Sequence, residues 1–324
     1  SDDKEMTISG PAGTGKTFLV QHLTTMAPAI QRMVQLLDPA IPKRDFTYTA
    51  TTNKAAEVLR GILDQPTTTI HKTLGLRVQN NYSTGKQVLV PHTPPKALSH
   101  TVIFVDEASM INDQLAGAIR DAIKKWTDCK LVFIGDKYQL PPVKEDVCSV
   151  FRSGAPNVHE LVEIQRQAKD SPNISRASQY RNLLDEPATG WPEIVPDEKS
   201  IFRYRDKAEY LDAIREAYRA SHAPDDLKVV AWSNKRVHGY NNWIRRKVLG
   251  LHQRYEVGDL VTTNKPLFMR KNMMAPTDYR LEISSVTPGQ DEVEGFEVKG
   301  WWISFTKFRS ESAFDEDPVV FQPK

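Results

Sequence analysis

The amino-acid sequence predicts an α/β protein built around a parallel sheet with flanking helices. A glycine-rich loop at residues 10–17 stands between a β-prone run at 6–9 and a helical stretch at 18–26. Residues 101–105 and 130–134 form two largely apolar runs rich in β-branched side chains, and a polar loop follows each of them. Such runs are typical of parallel strands buried on both faces, and α/β proteins bind ligands at the loops after the carboxyl ends of those strands.

Length and composition limit the class of protein. The 324 residues exceed the roughly 100–200 of one domain, which predicts two or more packed units. The 26% charged and 9% aromatic residues are typical of a soluble, folded protein and exclude a fibrous or wholly disordered chain. Because no stretch approaches the ~18 apolar residues of a membrane span, we expect no membrane partner.

The cysteines and the first residues predict a cytoplasmic protein. Cys129 and Cys148 cannot build a disulfide framework, and neither belongs to a C-x-x-C pair. This usage is typical of a reducing compartment. Residues 1–4 also lack the charged and then apolar layout of a signal peptide.

The charge is unevenly distributed along the chain. Forty-three basic and forty-one acidic residues leave a net charge of +2, which by itself indicates no partner. Residues 65–105, however, contain four Lys or Arg and no acid, and residues 228–254 contain seven and again no acid. These two basic stretches are candidate contacts for a nucleic acid.

The loop at residues 10–17 matches the phosphate-loop pattern G-x-x-x-x-G-K-[ST]. Small residues let backbone N–H groups curl around phosphates, and the helix that follows presents its positive end. Lys16 is expected to reach the β- and γ-phosphates of ATP, and the Thr17 hydroxyl to bind Mg²⁺. The alternative is a chance glycine-rich turn, which the strand before the loop and the helix after it disfavour. The expected nucleotide contacts are Gly10, Pro11, Ala12, Gly13, Thr14, Gly15, Lys16 and Thr17.

Two further polar loops supply candidate catalytic groups. Asp106 and Glu107 end one apolar run, where Asp106 is expected to support Mg²⁺ and Glu107 to orient and deprotonate the attacking water. An acid pair at this position can instead be the N-terminal charge of a following helix. Gln139 follows the second run and is long enough to contact a γ-phosphate or its attacking water; a solvated turn residue is an equal alternative.

These loops carry a family resemblance. Residues 10–17, 106–109 and 135–142 resemble helicase motifs I, II and III. The set resembles superfamily 1 helicases of the 5′-to-3′ branch, in particular the phage Dda-type helicases. Residues 161–166 resemble the motif that supplies an arginine to the γ-phosphate, which makes Arg166 a candidate arginine finger. A surface ion pair with Glu163 is the alternative for Arg166.

Other segments resemble the nucleic-acid contacts of the same family. Residues 49–56 resemble motif Ia, residues 69–74 resemble motif Ib, and residues 229–245 resemble the opening of a contact segment in the second motor domain. The resemblance implies single-stranded DNA contacts at Thr52, Asn53, Thr69, His71, Lys72, Trp232, Asn234 and Asn242. DNA rather than RNA follows from the resemblance alone, since stacking and phosphate contacts serve either.

The resemblance also implies an architecture. Two RecA-like motor domains at residues 1–150 and 151–324 hold ATP between them, and the second is incomplete. A β-hairpin at 76–100 acts as a pin that separates the duplex, although an ordinary surface hairpin is an alternative. The short β-like runs after Arg254 fit the small SH3-like β insertion that the resemblance implies at about 252–310.

The implied activity is that of an ATP- and Mg²⁺-dependent DNA helicase that moves 5′-to-3′ and serves replication or recombination. The implied partners are single-stranded and forked duplex DNA, with single-strand-binding or replication proteins, for a monomer in the cytoplasm, or in the host cytoplasm if a phage encodes it. The alternatives are an ATPase that translocates or remodels nucleoprotein without unwinding, and a nucleic-acid-binding scaffold with a structural nucleotide site. Counterparts of motifs V and VI and of the segment before motif I are not recognisable, which predicts a piece of a longer protein.

Overall fold

The structure is a computed structural model, and its chain divides into two compact units, Ser1–Glu193 and Ile194–Lys324. It describes residues 4–81, 86–142, 145–152, 157–164, 172–185, 190–197, 199–221, 226–264, 267–269, 272–275, 277, 279–293, 296–307 and 319–323.

The first unit alternates strands and helices along the chain, as the sequence predicts. Its elements are β1 (Glu5–Ser9), α1 (Lys16–Leu37), β2 (Asp45–Ala50), α2 (Asn53–Leu63), β3 (Thr67–Thr69), α3 (Ile70–Thr73), β4 (Leu76–Asn81), β5 (Lys86–Pro91), β6 (Thr101–Asp106), α4 (Asp113–Lys125), β7 (Lys130–Gly135), β8 (Val158–Glu160) and α5 (Pro172–Asp185).

Six of these strands form one parallel sheet in the order β3-β2-β6-β7-β1-β8. Consecutive side chains of β6 and β7 point to opposite faces, and both faces are buried. Ile103 and Phe133 pack with Ile119 of α4, whereas Phe104 and Val132 pack on the other face, in the cluster that contains side chains of α1 and α2. The predicted α/β class with a buried parallel sheet is therefore confirmed.

The last strand of the sheet lies beyond the domain boundary that we predicted at residues 150 and 151. β8 pairs with β1, and the Leu161 N–H donates to the Ser9 carbonyl at 2.7 Å. Lys137 also lies 3.0 Å from Glu160, from Nζ to Oε1. The compact units divide later, between Glu193 and Ile194. All three residues of β8 are exposed, so only backbone pairing with the open edge of β1 defines this strand, and no apolar pattern indicates it.

A β-hairpin stands between α3 and β6, where the sequence predicts one. β4 and β5 pair antiparallel from Leu76 opposite Pro91 to Asn81 opposite Lys86. The predicted turn at 82–85 lies outside the described residues. At the base, the Gly75 carbonyl accepts from His92 N at 2.8 Å and Thr93 N at 3.1 Å.

The second unit contains two helices and an antiparallel sheet. They are α6 (Lys207–Ala220), α7 (Asn234–Lys247), and the strands β9 (Leu260–Thr262), β10 (Leu267–Met269), β11 (Asn272–Ala275), β12 (Arg280–Val293), β13 (Phe296–Lys307) and β14 (Val319–Pro323). The larger sheet has the order β14-β13-β12-β9, and β10 pairs with β11.

The β-rich character predicted after Arg254 is therefore present, whereas its SH3-like topology stays a prediction. Within the described part of the second unit, no strands pair in parallel. A RecA-like sheet there also stays a prediction, because the residues before α6 and α7, where such strands would lie, form no ladder.

No helix among the residues that the structure describes is both long and apolar enough to cross a membrane.

Gly75 provides a test of the hairpin base. Its φ is +66°, and a Cβ at this position would lie 2.1 Å from the Thr93 carbonyl oxygen. We expect Gly75→Ala to lower the free energy of unfolding by about 1–3 kcal/mol, because an L side chain is strained there and has no room. Urea unfolding of the full chain measures the change.

Gly61→Ala is the matched control, because Gly61 lies inside α2 and a Cβ there meets nothing within 4 Å. Alanine at that position should leave stability unchanged or raise it by about 0.5–1 kcal/mol. Equal effects of the two substitutions would contradict the steric argument.

Candidate functional site

The loops expected to carry the chemistry meet at one edge of the first sheet. β6, β7 and β1 are neighbours that run parallel, so their carboxyl ends lie side by side. Asp106 and Glu107 stand at the end of β6, Gln139 follows β7, and the loop at 10–17 follows β1. The structure thus brings together predicted site residues from three separate parts of the chain.

Glycines shape the loop at residues 10–17. Gly13 and Gly15 both have φ of +85°, a conformation that L side chains rarely adopt. A Cβ at Gly10 would lie 2.7 Å from Thr14 Oγ1 and 2.8 Å from the Leu161 carbonyl oxygen, so the loop packs directly on the segment after β8. Thr14 Oγ1 in turn donates to the Pro11 carbonyl at 2.9 Å. These contacts fix the curve that a phosphate cradle requires.

Lys16 folds back over this loop. Its Nζ donates to the Gly10 carbonyl at 2.6 Å and to the Pro11 carbonyl at 2.9 Å. The ammonium is also close enough to Asp106 and Glu107 to lower the pKa of each, although other effects on those carboxyls are larger. Lys16 therefore places a positive charge between the loop and the acid pair.

The start of α1 fits an anion. Five other helices have an N-cap side chain that accepts a backbone N–H of the first turn, whereas the N-cap of α1 is Gly15 and no side chain caps it. The first N–H groups of a helix have no partner within the helix and are satisfied by caps, water or ligands. In α1 they face the loop that the motif assigns to phosphates. The five capping residues are Thr52, Thr69, Asn112, Asp206 and Ser233.

The acid pair has perturbed acidities. Burial raises the pKa of Asp106. This effect outweighs the hydrogen bond from the Glu107 N–H and the charge of Lys16, which both lower the pKa. Burial also raises the pKa of Glu107, and the neighbouring Asp106 charge adds to the effect. A base works best when its pKa lies near the working pH, so a raised pKa suits the proton-accepting role predicted for Glu107.

Glu107 is held in a strained backbone conformation. Its φ is +54°, which is uncommon for a residue with a side chain. Its N–H donates to Asp106 Oδ1 at 2.9 Å, and its carbonyl accepts from Thr51 Oγ1 and Met110 N, each at 3.2 Å. Strain of this kind costs about 1–3 kcal/mol and concentrates at functional sites. These three hydrogen bonds hold the backbone of Glu107 in place directly after β6.

Gln139 is exposed and is hydrogen-bonded to the acid loop. Its Oε1 accepts from Ser109 Oγ at 3.1 Å, and its backbone N–H donates to the Asp136 carbonyl at 3.1 Å. Gly135 permits this approach, since a Cβ there would lie 2.9 Å from Phe151 Cζ and 3.1 Å from Ser109 N. The loops after β6 and β7 are therefore one connected unit.

Three residues near the site were absent from the predicted set. Asp136 is only 7% exposed, and its charge contributes to the raised pKa of Glu107. Ser109 anchors Gln139, and Thr51 anchors Glu107. Asp136 had a sequence signal, because it follows an apolar strand as Asp106 does, whereas the roles of Ser109 and Thr51 arise only from tertiary contact.

The donors at this edge fit Mg²⁺ chemistry. Thr17 offers a hydroxyl in the first turn of α1, and Asp106 offers a carboxylate at the end of β6. Oxygen ligands of this kind, with phosphate oxygens, are what Mg²⁺ binds in nucleotide sites. The pair is therefore compatible with the metal role predicted for it.

The predicted DNA contacts of the first unit lie on the same sheet edge. Thr52 and Asn53 follow β2, the neighbour of β6, while Thr69 ends β3 and His71 and Lys72 follow it at the edge of the sheet. The hydroxyl oxygens of Thr52 and Thr69 already accept the N–H groups of Ala55 and Lys72 as helix caps, at 3.1 Å and 3.3 Å. Each hydroxyl hydrogen can still be donated to a phosphate. Burial lowers the pKa of His71, so at neutral pH this ring is an uncharged hydrogen-bonding group.

The other predicted DNA contacts belong to the second unit. Trp232 is 99% exposed, Asn234 is the first residue of α7, and Asn242 is exposed on the same helix. Arg166 lies outside the described residues. Its role as an arginine finger therefore stays a prediction.

The phosphate loop, the start of α1 without a side-chain cap, and the acid pair lie at one edge of a parallel sheet. Together they define a P-loop nucleotide-binding domain. The chain belongs to the AAA domain family, whose model matches residues 1–188.

Relatives confirm the resemblance to superfamily 1 helicases of the 5′-to-3′ branch. ATP-dependent DNA helicase dda of Enterobacteria phage T4 is 26% identical over 274 residues, which cover 81% of this chain and 57% of that helicase. ATP-dependent RecD2 DNA helicase of Deinococcus radiodurans is 26% identical over 197 residues, which cover 59% of this chain and 24% of that protein. This chain thus spans little more than half, or less, of the length of these relatives.

A solved structure of Pif1 helicase from Candida albicans covers 98% of this chain and 75% of its own, at 17% identity and a TM-score of 0.39.

Asp106→Asn tests the electrostatics of the acid pair. Because the pKa of Asp106 is raised in the fold, stability from this group is fully present below the ordinary carboxyl pKa and is lost as pH rises through the raised value. We expect the substitution to raise the Tm at neutral pH by about 2–4 °C, the shift that ~1 kcal/mol produces. Thermal unfolding followed from neutral pH to about pH 4 should show the gain shrink.

Asp128→Asn is the control with the opposite sign. Arg44, and then His100, hold the pKa of Asp128 below its usual range by hydrogen bonding. Its loss should lower the Tm at neutral pH, with the difference disappearing as the carboxyl protonates in acid. A lower Tm at neutral pH in both variants would show that burial does not dominate at Asp106.

Proposed function

We propose that this chain acts as an ATP-dependent DNA helicase that couples ATP hydrolysis to 5′-to-3′ movement on single-stranded DNA and to duplex unwinding. The observation that carries the proposal is the meeting of Lys16, the pair Asp106 and Glu107, and Gln139 at the ends of three adjacent parallel strands. Relatives named as ATP-dependent DNA helicases support the choice of nucleic-acid motor among P-loop enzymes.

Each group of the site has a role in phosphoryl transfer to water. The N–H groups of the loop and the Lys16 ammonium bind the β- and γ-phosphates. Thr17 and Asp106 would hold Mg²⁺, which neutralises phosphate charge when bound. Glu107 accepts the proton of the attacking water, while Gln139 positions that water or the γ-phosphate. Arg166 supplies positive charge to the γ-phosphate.

A hydrogen bond supports coupling between hydrolysis and DNA. Thr51 Oγ1 donates to the carbonyl of Glu107, and Thr51 directly precedes Thr52 and Asn53 in the predicted DNA contact. Movement of the Glu107 loop during hydrolysis therefore reaches the start of α2 through one bond and one peptide. Thr69, His71 and Lys72 continue the DNA contact at the next strand of the sheet.

The remaining parts of the chain have roles in the same motor. The second unit serves as a second RecA-like domain with an SH3-like insertion, and the hairpin of β4 and β5 separates the duplex strands. Trp232, Asn234 and Asn242 contact single-stranded DNA from the second unit. The protein works as a monomer on forked DNA in the cytoplasm, or in the host cytoplasm if a phage encodes it, beside single-strand-binding or replication proteins.

Substitution of Lys16 tests the ATPase. Lys16→Ala should lower the DNA-stimulated kcat for ATP hydrolysis by about 10²–10³, the loss typical of one transition-state donor. Glu107→Gln should retain ATP binding and block turnover, since an amide accepts no proton. Phosphate release and binding of a fluorescent ATP analogue separate the two effects. The control is Lys125→Ala, which removes an exposed lysine at the end of α4. Full hydrolysis by the Lys16 variant would contradict the assignment of residues 10–17 as a phosphate loop.

Strand displacement tests unwinding and its polarity. A duplex with a 5′ single-stranded tail should be unwound with ATP and Mg²⁺, and the same duplex with a 3′ tail should not. Hydrolysis stimulated by single strands without displacement of either duplex would favour a translocase or remodelling ATPase. Binding of single strands with no hydrolysis at all would favour a scaffold with a structural nucleotide site.

A further inference from the structure

The second unit contains a cavity beside the segment at residues 229–245. It has a volume of about 1120 Å³ and lies between residues 202–207, the first turns of α6 and one face of α7. From α7 it is lined by Lys235, Arg236, Gly239, Tyr240 and Trp243, of which the last four recur at helical spacing on one face. Asn234 and Asn242, the predicted DNA contacts of the same helix, do not line it.

Positive charge dominates the lining. Five cations line the cavity: Arg203, Arg205, Lys207, Lys235 and Arg236. Among the described residues, only Asp206 adds a carboxylate to the lining, and its Oδ1 already accepts the Ala208 N–H at 2.7 Å as the cap of α6.

No described acid neutralises these cations. None of the five forms an ion pair with a carboxylate in the part of the chain that the structure describes. The described lining therefore has a net positive charge, even with Asp206 included, and favours an anionic occupant.

Aromatic rings stand among these cations. The rings of Tyr204 and Tyr210 have centroids 5.8 Å apart, and those of Tyr210 and Tyr240 are 6.1 Å apart in an edge-to-face arrangement. This series of rings links the segment before α6 to α6 and then to α7. Phe202 and Tyr204 remain 56% and 37% exposed, so their rings are available to a ligand.

We propose that this cavity binds a segment of single-stranded DNA, with unpaired bases stacked on Phe202 and Tyr204 and phosphates bound by the surrounding Arg and Lys. The combination of a cationic groove with exposed rings is the one by which proteins hold single strands. The inference rests on the proposed function and adds to it a contact surface built from residues 202–207 and from residues of α7 other than Asn242.

The size and the rings decide among anionic occupants. Pockets for a single small molecule measure about 300–1,000 Å³, so a cavity of about 1120 Å³ has room for more than one nucleotide. A duplex keeps its base faces stacked inside and cannot use the rings. A single strand has phosphates for the cations and exposed base faces for the rings, and more than one of its nucleotides fits the volume.

Stacking is tested with Tyr204→Ala in the full chain. We expect the Kd for a fluorescent oligo(dT) to rise by about 5- to 150-fold, the effect of losing one base–aromatic contact. Tyr204→Phe should retain the affinity, because the ring face is kept. An oligomer of the same length with abasic sites should bind wild type more weakly and should not distinguish Tyr204→Ala from wild type.

Charge is tested through the salt dependence of the same Kd. Each phosphate contact on a single strand contributes about 0.7 to the slope of log K against log salt. Lys235→Ala should lower that slope by about 0.7, whereas Lys299→Ala, which removes an exposed lysine of β13 outside the cavity, should leave it unchanged. Matching circular dichroism spectra and Tm values show that the variants are folded.

The outcomes separate this inference from the proposed function. DNA affinity within about twofold of wild type for Tyr204→Ala, with an unchanged slope for Lys235→Ala, would overturn the cavity assignment while 5′-tail unwinding continued. If ATP alone displaced the oligonucleotide from the cavity, the cavity would be assigned to a mononucleotide instead. Tighter binding of RNA than of DNA of the same sequence would contradict the choice of DNA. Normal cavity-dependent DNA binding without ATP hydrolysis would leave this inference standing and defeat the proposed motor.

Discussion

The candidate active site depends on three parallel strands that end side by side. β6, β7 and β1 are buried on both faces, so they cannot shift in register without exposing apolar side chains on one face or the other. Their carboxyl ends are fixed with them, and so are the loops that carry Asp106, Gln139 and Lys16. A loss of packing under this sheet would therefore act on the chemistry without touching any group of the site.

The site combines features that oppose stability. α1 begins without a side-chain cap, Glu107 has a left-handed backbone, and burial raises the pKa of both carboxyls of the acid pair. Each feature is unfavourable in the isolated fold, and such features are typical of sites that bind phosphate or carry out catalysis. The hydrogen bonds from Thr51 and Ser109 hold the loops in place without a ligand.

The motif and the cavity assign different residues of α7 to DNA binding. Motif resemblance points to Asn234 and Asn242, whereas the physical chemistry of the cavity points to Arg236 and Tyr240. The motif describes which residues recur in a family, and the cavity describes where charge and ring faces lie in this chain. The same basic stretch of sequence supplies both surfaces, because a helix distributes neighbouring residues around its whole circumference.

The sequence by itself determined the parallel sheet and the phosphate loop, and it indicated the candidate catalytic groups that follow the strands. Continuous apolar runs followed by acids, and a glycine-rich loop before a helix, are local patterns that the chain carries wherever it folds. Tertiary structure alone decided that β8 completes the first sheet, that Ser109 holds Gln139 and that Thr51 holds Glu107. It also decided that Phe202 and Tyr204 share a cavity with Lys235, about thirty residues away along the chain. Such contacts join residues distant in sequence, and no local periodicity or propensity encodes which distant backbone edge or side chain will be the partner.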